Sequence, residues 1–214
     1  MTSDAAGAPL WRGSARSSRD DARRRRLLDA ALEVYGTTGF RGATVRSVCQ
    51  EAHVSTRSFY ELYSDQVALL SELYRELNGE VLAGFAGIAV DPHAPLRGIV
   101  RGLVGGALDP ILADERKARV LEVESVGVSD ALEQERRTAY RAFAEAIDQA
   151  FAALERAGRI EDAPGGLTSL VLVGGITEVL VQRMQTPRAG RADAADLVDD
   201  VTDVILRVVR GRPA

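Results

Sequence analysis

Nowhere in this sequence do apolar and polar residues alternate for long enough to make a strand, whereas apolar residues recur at spacings of three and four along most of it. That pattern leaves an all-α fold. Leu27, Leu28, Ala31, Val34 and Tyr35 repeat in this way, and Val45, Val48, Cys49 and Ala52 stand at i, i+3, i+4 and i+7 on one face. Breaks at Gly36 and Gly39, Gly127 and Ser129, Gly158 to Gly166, and Pro187 to Gly190 divide the chain into about nine predicted helices. Residues 1–18, which carry Pro9, Arg12 and Arg16 without a sustained period, are expected to be a flexible basic arm.

The 214 residues are 46% hydrophobic and 27% charged, a balance that suits a soluble globular chain and excludes disorder throughout. The single cysteine, Cys49, has no internal partner, and the first residues lack the pattern of a signal peptide, so a cytoplasmic protein is expected. The most apolar stretch, residues 167–181, is short for a membrane span and includes Glu178; it reads as a buried helix. The net charge of −4 is unevenly placed, for residues 1–62 hold ten arginines against seven carboxylates while the remainder is acidic. Contact with nucleic acid therefore belongs to the first third.

That third contains two helix starts in close succession. Thr44 can cap one helix and Ser55 the next, with Phe59 and Leu62 turned inward and Thr56, Arg57 and Ser58 on the first turn. A helix-turn-helix puts such a turn in the major groove, where short polar and basic side chains reach base edges and phosphates, and Tyr60 stands one turn further on. Residues 44–70, TVRSVCQEAHVSTRSFYELYSDQVALL, resemble the signature of the tetracycline-repressor (TetR) family, and the preceding RRRRLLDAALEVYGTTGFRGAT resembles its first helix and Gly-Phe turn. The resemblance implies a three-helix DNA-binding domain over 19–64 and a helical ligand-binding and dimerisation domain over 65–210. It also implies a ligand-responsive repressor that binds a palindromic double-stranded DNA operator as a homodimer. Its DNA contacts carry over to Thr44, Ser55, Thr56, Arg57, Ser58, Tyr60 and Tyr63. Four positions depart from the family pattern: His53 where glycine is usual in the turn, Glu61 and Leu62 where phosphate-binding residues are usual, and Gln66 for a lysine.

For Arg23 to Arg26 phosphate binding competes with a solvated helix face, and Cys49 is expected in the core. Nothing in the sequence calls for a cofactor, a metal or a catalytic site, since phosphate loop, ligand spacing and nucleophile motif are all missing. The alternatives are an all-helical enzyme, or a regulator governed by a protein partner in place of a small molecule. The last two helices, through Gly174, Gly175, Leu197, Val201, Val204, Ile205 and Val208, are expected to form the homodimer. The predicted helices five to eight are expected to enclose an effector site, with Glu122, Glu124, Arg101 and Tyr140 as candidate ligand-binding residues among apolar neighbours.

Overall fold

The computed structural model describes residues 10–88, 91 and 93–210, the side chains of 10–17, 188 and 210 excepted. Nine α-helices are present among these residues: α1 (Leu10–Thr37), α2 (Val45–Glu51), α3 (Thr56–Tyr60), α4 (Gln66–Ala86), α5 (Leu96–Leu112), α6 (Glu115–Arg119), α7 (Asp130–Arg156), α8 (Gly166–Gln185) and α9 (Ala194–Arg210). A π-helical segment, Val120–Glu124, continues α6, and a 3-10 turn, Arg188–Gly190, precedes α9. The first helix begins at Leu10, so residues 10–18 extend it where the sequence suggested an arm; between Leu10 and Gly36 only Gly13 disfavours a helix. Residues 1–9 of the expected arm lie outside the described residues.

Short side chains start the helices as the sequence implies. Thr44 and Ser47 form a reciprocal capping box, the Ser47 N–H donating to Thr44 Oγ1 at 3.0 Å and the Thr44 N–H to Ser47 Oγ at 2.9 Å. Ser55 accepts from the Ser58 N–H at 3.1 Å, and Asp65 from the Ala68 N–H at 2.8 Å. Between α2 and α3, His53 adopts φ 54°. Its N–H donates to the Gln50 carbonyl at 3.2 Å and that of Val54 to the Cys49 carbonyl at 3.0 Å, a Schellman turn with histidine in the left-handed position usually taken by glycine.

Leu27, Ala31, Tyr35, Val48, Phe59, Leu69 and Leu70 are sealed from solvent and knit α1 to α4 into one N-terminal unit, with Cys49 also buried. Below it, α4 packs on α5 and α7, α5 on α9, and α7 on α8. α8 does not conform to the buried helix expected from its composition. It is apolar and long enough to cross a membrane by length and composition alone, yet Leu172, Val173 and Leu180 pack inward while Leu167, Leu170, Val171 and Val179 are exposed.

The crossing of α4 over α5 depends on two glycines. Pro110 has no N–H with which to bond the Gly106 carbonyl four residues back, and that carbonyl lies against Gly84. A Cβ on Gly106 would in turn stand 2.5 Å from the Gly84 carbonyl oxygen. Gly84→Ala should therefore force the helices apart and lower stability by about 1–3 kcal/mol. Gly79→Ala, at an exposed position of the same helix with nothing within 4 Å, should raise it by about 0.5–1 kcal/mol. Thermal unfolding followed by circular dichroism distinguishes the two signs.

Candidate DNA-binding head and effector cavity

At the head, the first turn of α3 faces solvent. Thr56 and Arg57 are exposed, the Arg57 side chain retaining 90% of its accessible surface, and Tyr60 is 59% exposed with its ring edge-on to buried Phe59. Thr44 and Ser55 are exposed at the starts of α2 and α3, open to solvent like the sequence-predicted contact residues Thr56 and Arg57. Ser58 is half-buried beside Ser55. Tyr63 departs from the expectation. It is 4% exposed, packed on Phe59 and covered by the Arg24 guanidinium 5.6 Å from its ring centre, because α4 starts immediately beyond it and closes over that side. Tyr63 thus supports the recognition helix from behind and offers no surface to a base.

The arginine run is also largely committed within the fold. Arg24 pairs with Glu72 at 2.6 Å, Arg25 with Glu76 at 2.6 Å, and Arg23 with Asp20 and Glu61. These three form neither a free phosphate-binding patch nor a merely solvated face, since they tie α1 to α4 and to the end of α3. Glu61 stands 3.5 Å from Arg57 Nε, an exposed ion pair one turn apart. Gln66 donates to the Ala43 carbonyl at 3.5 Å.

In the body, α4, α5, the π-helical segment, α7, α8 and α9 surround a cavity of about 110 Å³. Its walls are apolar, among them Phe85, Leu103, Phe143, Ile147, Val173 and Leu180, and its polar residues are Asn78, Glu122 and Thr177. Asn78 and Thr177 escaped the sequence reading because a lone polar residue in an apolar helix has the same signature as a satisfied core residue. The enclosure is wider than predicted, since α4 contributes one wall and Ile205 of α9 turns into the cavity, away from the outer face on which it was placed.

Of the four candidate ligand residues only Glu122 lines the cavity. Glu124, two residues along the same turn, faces the opposite way: it accepts the Phe40 N–H at 2.7 Å and the Arg119 Nε–H at 2.9 Å, and its side chain is 11% exposed. Arg101 lies on the outside of α5 and pairs with Asp199 of α9 at 2.9 Å. Tyr140 stacks beneath Arg136, 5.7 Å from its ring centre, away from the cavity wall. Sequence spacing could not separate these four, because a wheel assigns a face without saying which neighbour occupies it.

The segment bearing both glutamates joins the cavity to the head. Ser125 N–H reaches back five residues to the Val120 carbonyl at 3.2 Å, and the buried Ser125 hydroxyl bonds the Leu121 carbonyl at 2.7 Å, which stabilises the π-turn. Arg119 also donates to the Thr37 carbonyl at 3.0 Å, Arg116 pairs with Glu33, and the Arg116 side chain rests so closely on Gly36 that no Cβ fits there. Burial pushes Glu122 up to about 7, against the opposing pull of Arg136 and the Thr177 hydroxyl. A carboxyl raised on folding binds its proton more tightly in the native state, so it weakens the fold as pH climbs from the unfolded value near 4.5 to about 7. Glu122→Gln should remove that fall, a difference on the order of 2 kcal/mol between wild type and variant at pH 8, read from urea titrations at several pH values.

The sequence profile of the bacterial regulatory proteins of the tetR family matches residues 27–73, the stretch that forms the exposed head. No curated protein sequence matches the chain. Among solved structures, the fatty acid degradation regulator FadR from Bacillus halodurans superimposes with a TM-score of 0.75 at 19% identity, over 89% of this chain and 97% of that one. FadR from Bacillus subtilis in complex with stearoyl-CoA gives 0.73 at 17% identity, over 88% and 99%. A regulatory protein of the tetR family from Rhodococcus RHA1 gives 0.70 at 19% identity, over 87% and 96%. Residues 27–73 thus match the model of the bacterial regulatory proteins of the tetR family, and the described helices of the chain share the fold of these solved regulators.

Proposed function

We propose that the protein is a cytoplasmic repressor that binds a palindromic operator as a homodimer and is released by a small apolar effector held in the cavity. In this reading residues 19–64 read DNA, and residues 65–210 bind the effector and the second subunit. The observation that carries it is the five-residue π-turn that has Glu122 in the cavity and Glu124 on the Phe40 N–H at the entry to α2. A molecule that moves Glu122 must also move the residue two positions on, which grips the head. Effector and operator then compete through one segment, and each weakens the other by the same factor. The apolar walls favour a hydrophobic molecule, and the Bacillus subtilis FadR complex shows that this fold accommodates an acyl-CoA in that protein.

The second subunit is assigned to the exposed face of α8. Leu167, Val171 and Val179 line up along it, a Cβ on Gly174 or Gly175 would meet nothing within 4 Å, and a groove between α8 and α9 is walled by Val171, Val179, Leu197, Val201 and Val204. Apolar surface of this extent on a soluble chain marks an interface. A two-fold dimer would place its recognition helices about 34–36 Å apart for consecutive major grooves.

DNA release on addition of effector, followed by fluorescence anisotropy of a selected operator, tests the whole reading; an operator complex indifferent to every apolar compound that binds the protein would contradict it. Arg57→Ala should cost about 1–3 kcal/mol of specific binding and relax preference at one position of each half-site, measured by binding-site selection. Val171→Asp combined with Val204→Asp should convert a dimer into monomers in analytical ultracentrifugation, with operator affinity falling because one head then binds alone.

A further inference from the structure

The cavity's polar groups are unbalanced in charge. Among the described residues Lys, Arg and His are all missing from its lining, and the polar groups that share the lining with Glu122 are the Thr177 hydroxyl and the Asn78 amide. Arg136, whose charge acts on Glu122, pairs through Nη1 with Glu133 at 3.1 Å and lies outside the lining. The Asn78 amide nitrogen already donates to the Tyr74 carbonyl at 2.7 Å. An ionised carboxylate in such surroundings lacks a partner, and a ligand that supplies a cation removes the deficit. A ligand carrying its own carboxylate would instead set two acids side by side with no cation between them. Size narrows the class further: the cavity's volume, about 110 Å³, is of the order of apolar cavities that admit benzene.

We infer that the cavity takes a compact apolar amine, a ring or short branched hydrocarbon whose cationic nitrogen is held by Glu122 and Thr177, and that it rejects fatty acids and acyl thioesters of coenzyme A. The inference rests on the reading of this cavity as the effector site. Glu122 is then the residue that sets specificity, and the apolar walls supply the contact area.

Calorimetry on the full chain at about pH 8 with benzylamine, benzyl alcohol, benzoate and stearoyl-CoA tests it, using wild type, Glu122→Gln and the cavity-filling Ala107→Trp, with the milder Ile147→Phe should the tryptophan prevent folding. Benzylamine should bind at least about tenfold more tightly than benzyl alcohol, as one charge-assisted hydrogen bond in a dry site implies, and benzoate and stearoyl-CoA should be weaker still. Glu122→Gln should abolish the advantage of the amine while leaving the alcohol nearly unchanged, and the filled variant should lose both. Tighter binding of benzoate or stearoyl-CoA than of the amine, an amine preference that survives Glu122→Gln, or binding of none of the probes overturns the inference. If the ranking is wrong but the filled variant still loses every bound probe, the cavity stands as the ligand-binding site and only the amine assignment falls. If filling the cavity changes no bound probe's affinity, the effector-site reading falls with it.

Discussion

The bond from the Phe40 N–H to Glu124 is where the two halves of the molecule depend on each other. A backbone donor at a helix-to-helix turn needs a partner, and here the partner comes from 84 residues further along the chain. Arg119 neutralises the same carboxylate and reaches on to the Thr37 carbonyl, so three groups from α1, its following turn and α6 close on one another. Without that closure the head would be attached to the body mainly through α1 and α4. With it, the turn that leads into α2 is bonded directly to the π-helical segment.

α4 runs through both halves. Its first turns bury Leu69 and Leu70 against α1, and its last turns place Val81 and Phe85 in the cavity wall. The arginine run of α1 fastens to it through Glu72 and Glu76, which explains why so basic a stretch leaves little charge free for phosphates. The glycine pair at its crossing with α5 sets how closely the wall can approach, and the cavity is small in consequence.

α8 divides its apolar residues between two neighbours. One stripe packs inward and contributes Val173, Thr177 and Leu180 to the cavity, while the opposite stripe is exposed on the single chain. An apolar helix that is wet on one side leaves hydrophobic burial unused, up to about 1.5–3 kcal/mol for a fully exposed Leu or Val. The same helix thereby forms part of the cavity wall on one side and an exposed apolar face on the other.

The sequence by itself determined the helical class, the caps at Thr44, Ser55 and Asp65 and the head, but not that α1 reaches back to Leu10. Period, capping residues and breakers act over a few neighbours, so Thr44, Ser55 and Asp65 start their helices where local chemistry puts them, and His53 takes the left-handed turn that its place in the pattern demanded. Tyr63 looked like part of the exposed aromatic group because its burial depends on α4 folding over it. Glu122 and Glu124 looked equivalent for the same reason. Only the tertiary structure decided that one faces a dry cavity and the other a backbone amide, that Arg101 belongs to an outer ion pair, and that Ile205 points inward. Helix formation is set by contacts within a few residues, but the side of a helix that meets solvent, ligand or another helix is fixed by residues distant in the chain.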